Sequence, residues 1–90
     1  MPTSIKPKYS HAVISMYSFD DDVCVHLCTS EEEAKNVLRD IYEREVQIDT
    51  DAGHDFDSEI REDGWYAKIT NHRKCGDTDV SEWRIGHVYR

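Results

Sequence analysis

From Tyr9 to Tyr17 the chain alternates, with Ala12, Ile14 and Met16 on one side of an extended backbone and His11, Val13, Ser15 and Tyr17 on the other. Val23 to Leu27 alternates again: Val23, Val25 and Leu27 face one way, Cys24, His26 and Cys28 the other. Ser18 to Asp22 between them is polar and acid-rich, so the two runs predict an antiparallel hairpin around a loop. The period then changes. Ala34, Val37, Leu38, Ile41 and Tyr42 recur at helical spacing, with Glu45 interrupting the stripe before Val46 and Ile48. Ser30 and Glu33 form an S-x-x-E capping box, and Glu31, Glu32 and Glu33 stand where the helix dipole favours negative charge. A helix from Glu31 to about Val46 follows, supported on its surface by Glu31–Lys35 and Asp40–Arg44 pairs.

Residues 49–63 (DTDAGHDFDSEIRED) read as a long acidic loop, and loops of that length are usually functional or mobile. Two further strands close the chain. Trp65, Ala67 and Ile69 share a face of Trp65–Asn71, and Trp83, Ile85 and Tyr89 share a face of Ser81–Tyr89. The connection His72–Asp79 carries a turn at Cys75-Gly76-Asp77. Met1 to Lys8, with both prolines and no period, is expected to be an arm outside a single domain spanning 9–90.

The predicted fold is therefore α+β: a four-stranded antiparallel sheet with one helix on one face, in the order strand, strand, helix, strand, strand. The expected core is Ile14, Met16, Val25, Leu27, Val37, Leu38, Ile41, Trp65, Ile69, Trp83 and Ile85. The face away from the helix would then show His11, Ser15, Tyr17, Cys24, His26, Tyr66, Lys68, Thr70, His72 and Arg84. Such a mixed polar and aromatic face suits solvent, another protein or a homodimer seam.

Charge changes this picture most. Between Asp20 and Asp63 sixteen carboxylates face four bases (Lys35, Arg39, Arg44, Arg61), and the whole chain carries −8. A domain so charged repels nucleic acid and attracts basic protein surfaces. Direct nucleic-acid binding, which gains from counterion release at a basic stripe, is not expected. Nine aromatics and periodic apolar runs exclude a disordered chain. No apolar run approaches the ~20 residues of a membrane span and no leader pattern opens the chain, so the expected location is the cytoplasm.

The chemistry-bearing residues are few. Cys24, Cys28 and Cys75 are odd in number, and on a strand Cys24 and Cys28 stand about 13 Å apart, too far for a disulfide or a shared zinc. Reduced thiols without metal or cofactor are expected, despite the zinc-like look of Cys24-x₃-Cys28 and His72-x₂-Cys75. Asp51, Asp55, Asp57, Glu59 and Glu62 fall at EF-hand positions, but Phe56 takes the place of the turn glycine and no second helix follows. Cys75, beside His72, Arg73 and Lys74, is the one candidate nucleophile. No phosphate loop, nucleophile elbow or H-E-x-x-H accompanies it, and an enzyme is not expected.

Acid clusters on a rigid scaffold can instead imitate the field of a nucleic acid. The residues expected to meet a basic partner groove are Asp20, Asp21, Asp22, Glu31, Glu32, Asp49, Asp51, Asp55, Asp57 and Glu59, all exposed. A short acidic chain with Tyr/Trp-rich strands and one E-E-E-A-K helix resembles the small accessory proteins of phages and mobile elements. Among these it is similar in size, charge and texture over 9–90 to anti-CRISPR inhibitors of RNA-guided effector nucleases. The resemblance implies a stoichiometric inhibitor that occupies a DNA-, PAM- or RNA-facing groove or locks a nuclease domain. It rests on no shared motif and assigns no residue a role.

Overall fold

The computed structural model describes residues 8–88. Of the expected arm only Lys8 falls among them, and Tyr89 lies outside. The elements are β1 (His11–Tyr17), β2 (Asp20–Cys28), α1 (Glu31–Asp51), β3 (Asp55–Ile60), β4 (Tyr66–His72) and β5 (Thr78–His87). All five strands form one antiparallel sheet in the order β2-β1-β5-β4-β3, and α1 packs across one face. The α+β class stands, but the sheet has five strands where four were expected.

The extra strand lies in the segment read as a loop. In Asp55–Ile60, Phe56 and Ile60 are half-buried against the core and the acids between them point away. Phe56, Ser58 and Ile60 pair with Asn71, Ile69 and Ala67 of β4. The dense acids hid a strand whose apolar positions are only two.

Helix α1 starts where the sequence placed it. Ser30 accepts a hydrogen bond from the Glu33 backbone N–H at 3.1 Å, and Glu33 reaches back to the Thr29 N–H and hydroxyl. It runs past Val46 to Asp51 and ends in a Schellman turn. The His54 N–H bonds Asp49 O at 3.0 Å and the Gly53 N–H bonds Thr50 O at 3.1 Å, with Gly53 left-handed at φ 72°. Only glycine reaches that conformation without strain.

The core lies between α1 and one sheet face, built on Val13, Cys28, Ala34, Leu38, Ala67, Ile69, Trp83 and Ile85. Fully burying side chains such as Leu38 or Ile69 stabilises by roughly 1.5–3 kcal/mol each. Register reverses the expected facing of the first hairpin. Val13 pairs with Ile85 and Ser15 with Trp83, and partners directly opposite in an antiparallel pair share a face. The odd-numbered residues of β1 therefore meet the helix, and Ile14 and Met16 lie on the uncovered face, only partly buried. Val25, opposite Ile14, is 59% exposed and Leu27, opposite Ala12, is 45% exposed, so neither belongs to the core. His11, Ser15, Tyr17, Cys24 and His26 move correspondingly to the helix side. Tyr66, Lys68, Thr70, His72 and Arg84 keep their expected place on the uncovered face.

Candidate interaction surface

The two edge strands bound the uncovered face with opposite chemistry. At one edge, β2 shows Val23, Val25 and Leu27, all about half exposed, beside Ile14 and Met16 of β1. At the other edge, β3 presents Asp55, Asp57 and Glu59 at alternate positions, all exposed. Across from them on β4 stand His72, Thr70 and Lys68. With strands about 4.8 Å apart, the four steps from β2 to β3 span about 19 Å.

The β4–β5 strip between them is polar and internally bonded. The Tyr66 hydroxyl donates to Glu82, and burial, then this contact, pushes its pKa up to about 12. The Arg84 guanidinium sits 5.8 Å from the Tyr66 ring centre. His72 Nε2 lies 2.8 Å from an Asp57 carboxylate oxygen, and that hydrogen bond raises the imidazole pKa.

The residues singled out in the sequence fall into separate groups. Asp20, Asp21 and Asp22 are the exposed first residues of β2, not a loop, because the β1–β2 turn is tight at Ser18–Phe19 and the register shifts there. Asp20 is folded back, its carboxylate accepting from the Asp22 N–H at 3.0 Å. Glu31 and Glu32 open α1, beyond the other end of β2. Glu31 is paired with Lys35 at 2.9 Å, which holds its carboxyl below the usual range. Asp51 is exposed at the end of α1 and accepts from Gln47 at 2.7 Å.

Asp49 contradicts the expected exposure. It is 6% exposed, accepting from Asn71 Nδ2 at 3.2 Å with His54 Nδ1 at 2.9 Å. Its acidity reads as solvent-facing in the sequence, but the helix continues past Val46 and brings it against Asn71 of β4 and His54. Burial of a carboxylate is tolerable there because it is hydrogen-bonded.

Two of the three bases that precede the candidate nucleophile are engaged by acids. Arg73 bonds Asp79 at 2.6 Å, His72 bonds Asp57, and Cys75 Sγ lies 3.7 Å from an Asp77 carboxylate oxygen. Beside this turn, a cleft of about 570 Å³ lies between the end of α1 and β4, lined by His54, Asn71, His72, Arg73 and Lys74. The EF-hand-like acids do not converge. Asp55, Asp57 and Glu59 are spread along an extended strand, about 13 Å from first to last. Among the described residues no group of three or more His, Cys, Asp or Glu side chains could hold a metal ion, and no helix is long and apolar enough to cross a membrane.

Sequence reasoning missed the exposed apolar strip of β2. Its signal was present: β1 is apolar on both faces at Ala12, Val13 and Ile14, so an apolar row that includes Val23, Val25 and Leu27 can be left outside the one a single helix covers. No protein-family model, curated protein or solved structure matches this chain.

Proposed function

We propose that this chain is a non-catalytic binding protein that docks its uncovered sheet face on the basic, nucleic-acid-binding surface of another protein and blocks it. The carrying observation is the exposed row Asp55, Asp57 and Glu59 on the same face as the apolar strip of β2. Alternate residues of an extended strand stand about 6.7 Å apart, against one phosphate per about 3.4 Å of axis in each DNA strand. The row is thus a sparse imitation of a phosphate strand, made for cations that normally grip one. Charge of this kind steers encounter and sets partner choice, whereas the apolar strip supplies affinity that salt does not screen. A guide-directed nuclease, the target implied by the anti-CRISPR resemblance, carries such a surface. The role is stoichiometric inhibition.

The test begins with affinity capture from host extract and continues with the purified partner on a biosensor. Duplex DNA should compete for the partner, and association should slow as salt rises. Combined Asp55→Asn, Asp57→Asn and Glu59→Gln should lower the association rate and flatten its salt dependence. Binding indifferent to salt, to DNA and to all three neutralisations would remove this reading.

A further inference from the structure

We infer that edge strand β2 accepts an extended segment of the basic partner as a sixth strand, its apolar side chains covering Val23, Val25 and Leu27. This rests on the proposed function for the partner's positive charge and adds how the partner is held. Among the described residues β2 pairs with β1 alone, so one edge of this nine-residue strand has no described neighbour in the sheet. Proteins ordinarily guard such edges with charge, bulges or cover. The opposite edge follows that rule, with Asp55, Asp57 and Glu59 alternating along β3. The middle of β2 does not: Val23, Val25 and Leu27 are 55%, 59% and 45% exposed on the face that α1 leaves uncovered.

Charge decides what fits there. The apolar stretch is bracketed by Asp20, Asp21 and Asp22 at one end and by Glu31 and Glu32 just beyond the other. Its complement is a strand with apolar residues at alternate positions and Lys or Arg at both ends. Added strands of this kind gain affinity from main-chain hydrogen bonds and specificity from alternate side chains. A second copy fits worse. A two-fold pairing with Val25 against Val25 matches Val23 to Leu27, but it places Asp20 opposite Ser30, next to Glu31 and Glu32. Acid then meets acid at both ends, between two chains that each carry −8.

The test uses the full chain and a random dodecapeptide library. Enriched peptides should alternate apolar residues with polar ones and end in Lys or Arg. Scrambling such a peptide at fixed composition should weaken binding at least about tenfold. N-methylation of alternate peptide nitrogens on one edge should abolish it, and bound peptide should slow amide exchange along β2. Val25→Glu with Leu27→Glu should weaken binding at least about tenfold, since each would set an unpaired charge against an apolar side chain. A peptide that survives these β2 changes but is lost on neutralising Asp55, Asp57 and Glu59 overturns strand addition and leaves the proposed function standing. Enrichment of basic peptides without alternation overturns it too. So does a dimer mass by light scattering that Val25→Glu reduces to that of the monomer, because a second copy would then occupy the edge.

Discussion

Leu38→Ala and Leu27→Ala delete the same atoms from two residues that the sequence placed in one core, and the structure predicts very different costs. Leu38 is fully buried in the cluster with Val13, Ile69 and Trp83, whereas Leu27 is 45% exposed on the uncovered face. At Leu38 the loss combines transfer free energy with a cavity that rigid neighbours cannot fill, about 2–5 kcal/mol. At Leu27 only part of the side chain leaves a protein environment and water fills the space. Scaling a burial term of roughly 1.5–3 kcal/mol by half gives about 1 kcal/mol. For a domain of this size each kcal/mol moves Tm by about 4–8 °C. A cost near 3 kcal/mol should therefore lower the Tm of Leu38→Ala by about 12–24 °C, and Leu27→Ala should lose only about 4–8 °C. Thermal melts followed by far-ultraviolet circular dichroism, paired with urea titrations at unchanged m value, measure both. Equal losses, or a larger loss at Leu27, would refute the facing of the first hairpin that the register assigns.

Asp49→Ala should destabilise by about 1–3 kcal/mol, because it strips the Asn71 amide of its buried partner; a variant as stable as the parent in urea would show that the carboxylate holds nothing together. Gly53→Ala should cost about 1–2 kcal/mol through its left-handed backbone alone, since nothing lies within 4 Å of the added methyl; an unchanged urea midpoint would contradict the Schellman end of α1. The imidazole of His72 should titrate above its ordinary value by NMR and fall back in Asp57→Asn. Because the folded-state pKa is the raised one, the pair's contribution is complete below the unfolded-state value and fades as pH climbs through the folded one; stability of the parent relative to Asp57→Asn that grows with rising pH would have the wrong sign.

Sequence alone determined those parts of this protein that depend on neighbours along the chain. The S-x-x-E sequence at Ser30 and Glu33 fixed the start of α1, because the Glu33 N–H bond to Ser30 and the return of the Glu33 carboxylate to the Thr29 N–H both close within four residues. The alternation around Ala67–Ile69 and Trp83–Ile85 fixed which side of β4 and β5 is buried, since the positions between them, Lys68 and Arg84, are charged. β3 was half legible: Phe56 and Ile60 keep a strand's period, but isolated among acids they look like loop residues until β4 supplies partners. Tertiary structure decided the rest. β1 is apolar on both faces at Ala12, Val13 and Ile14, so its pattern is indifferent to orientation; only pairing of Val13 with Ile85 and Ser15 with Trp83 turns one face to the helix. That choice exposes Val25 and Leu27, and the length of α1 buries Asp49. A one-residue change of register exchanges every inside and outside position of a strand, and contacts distant in sequence set that register.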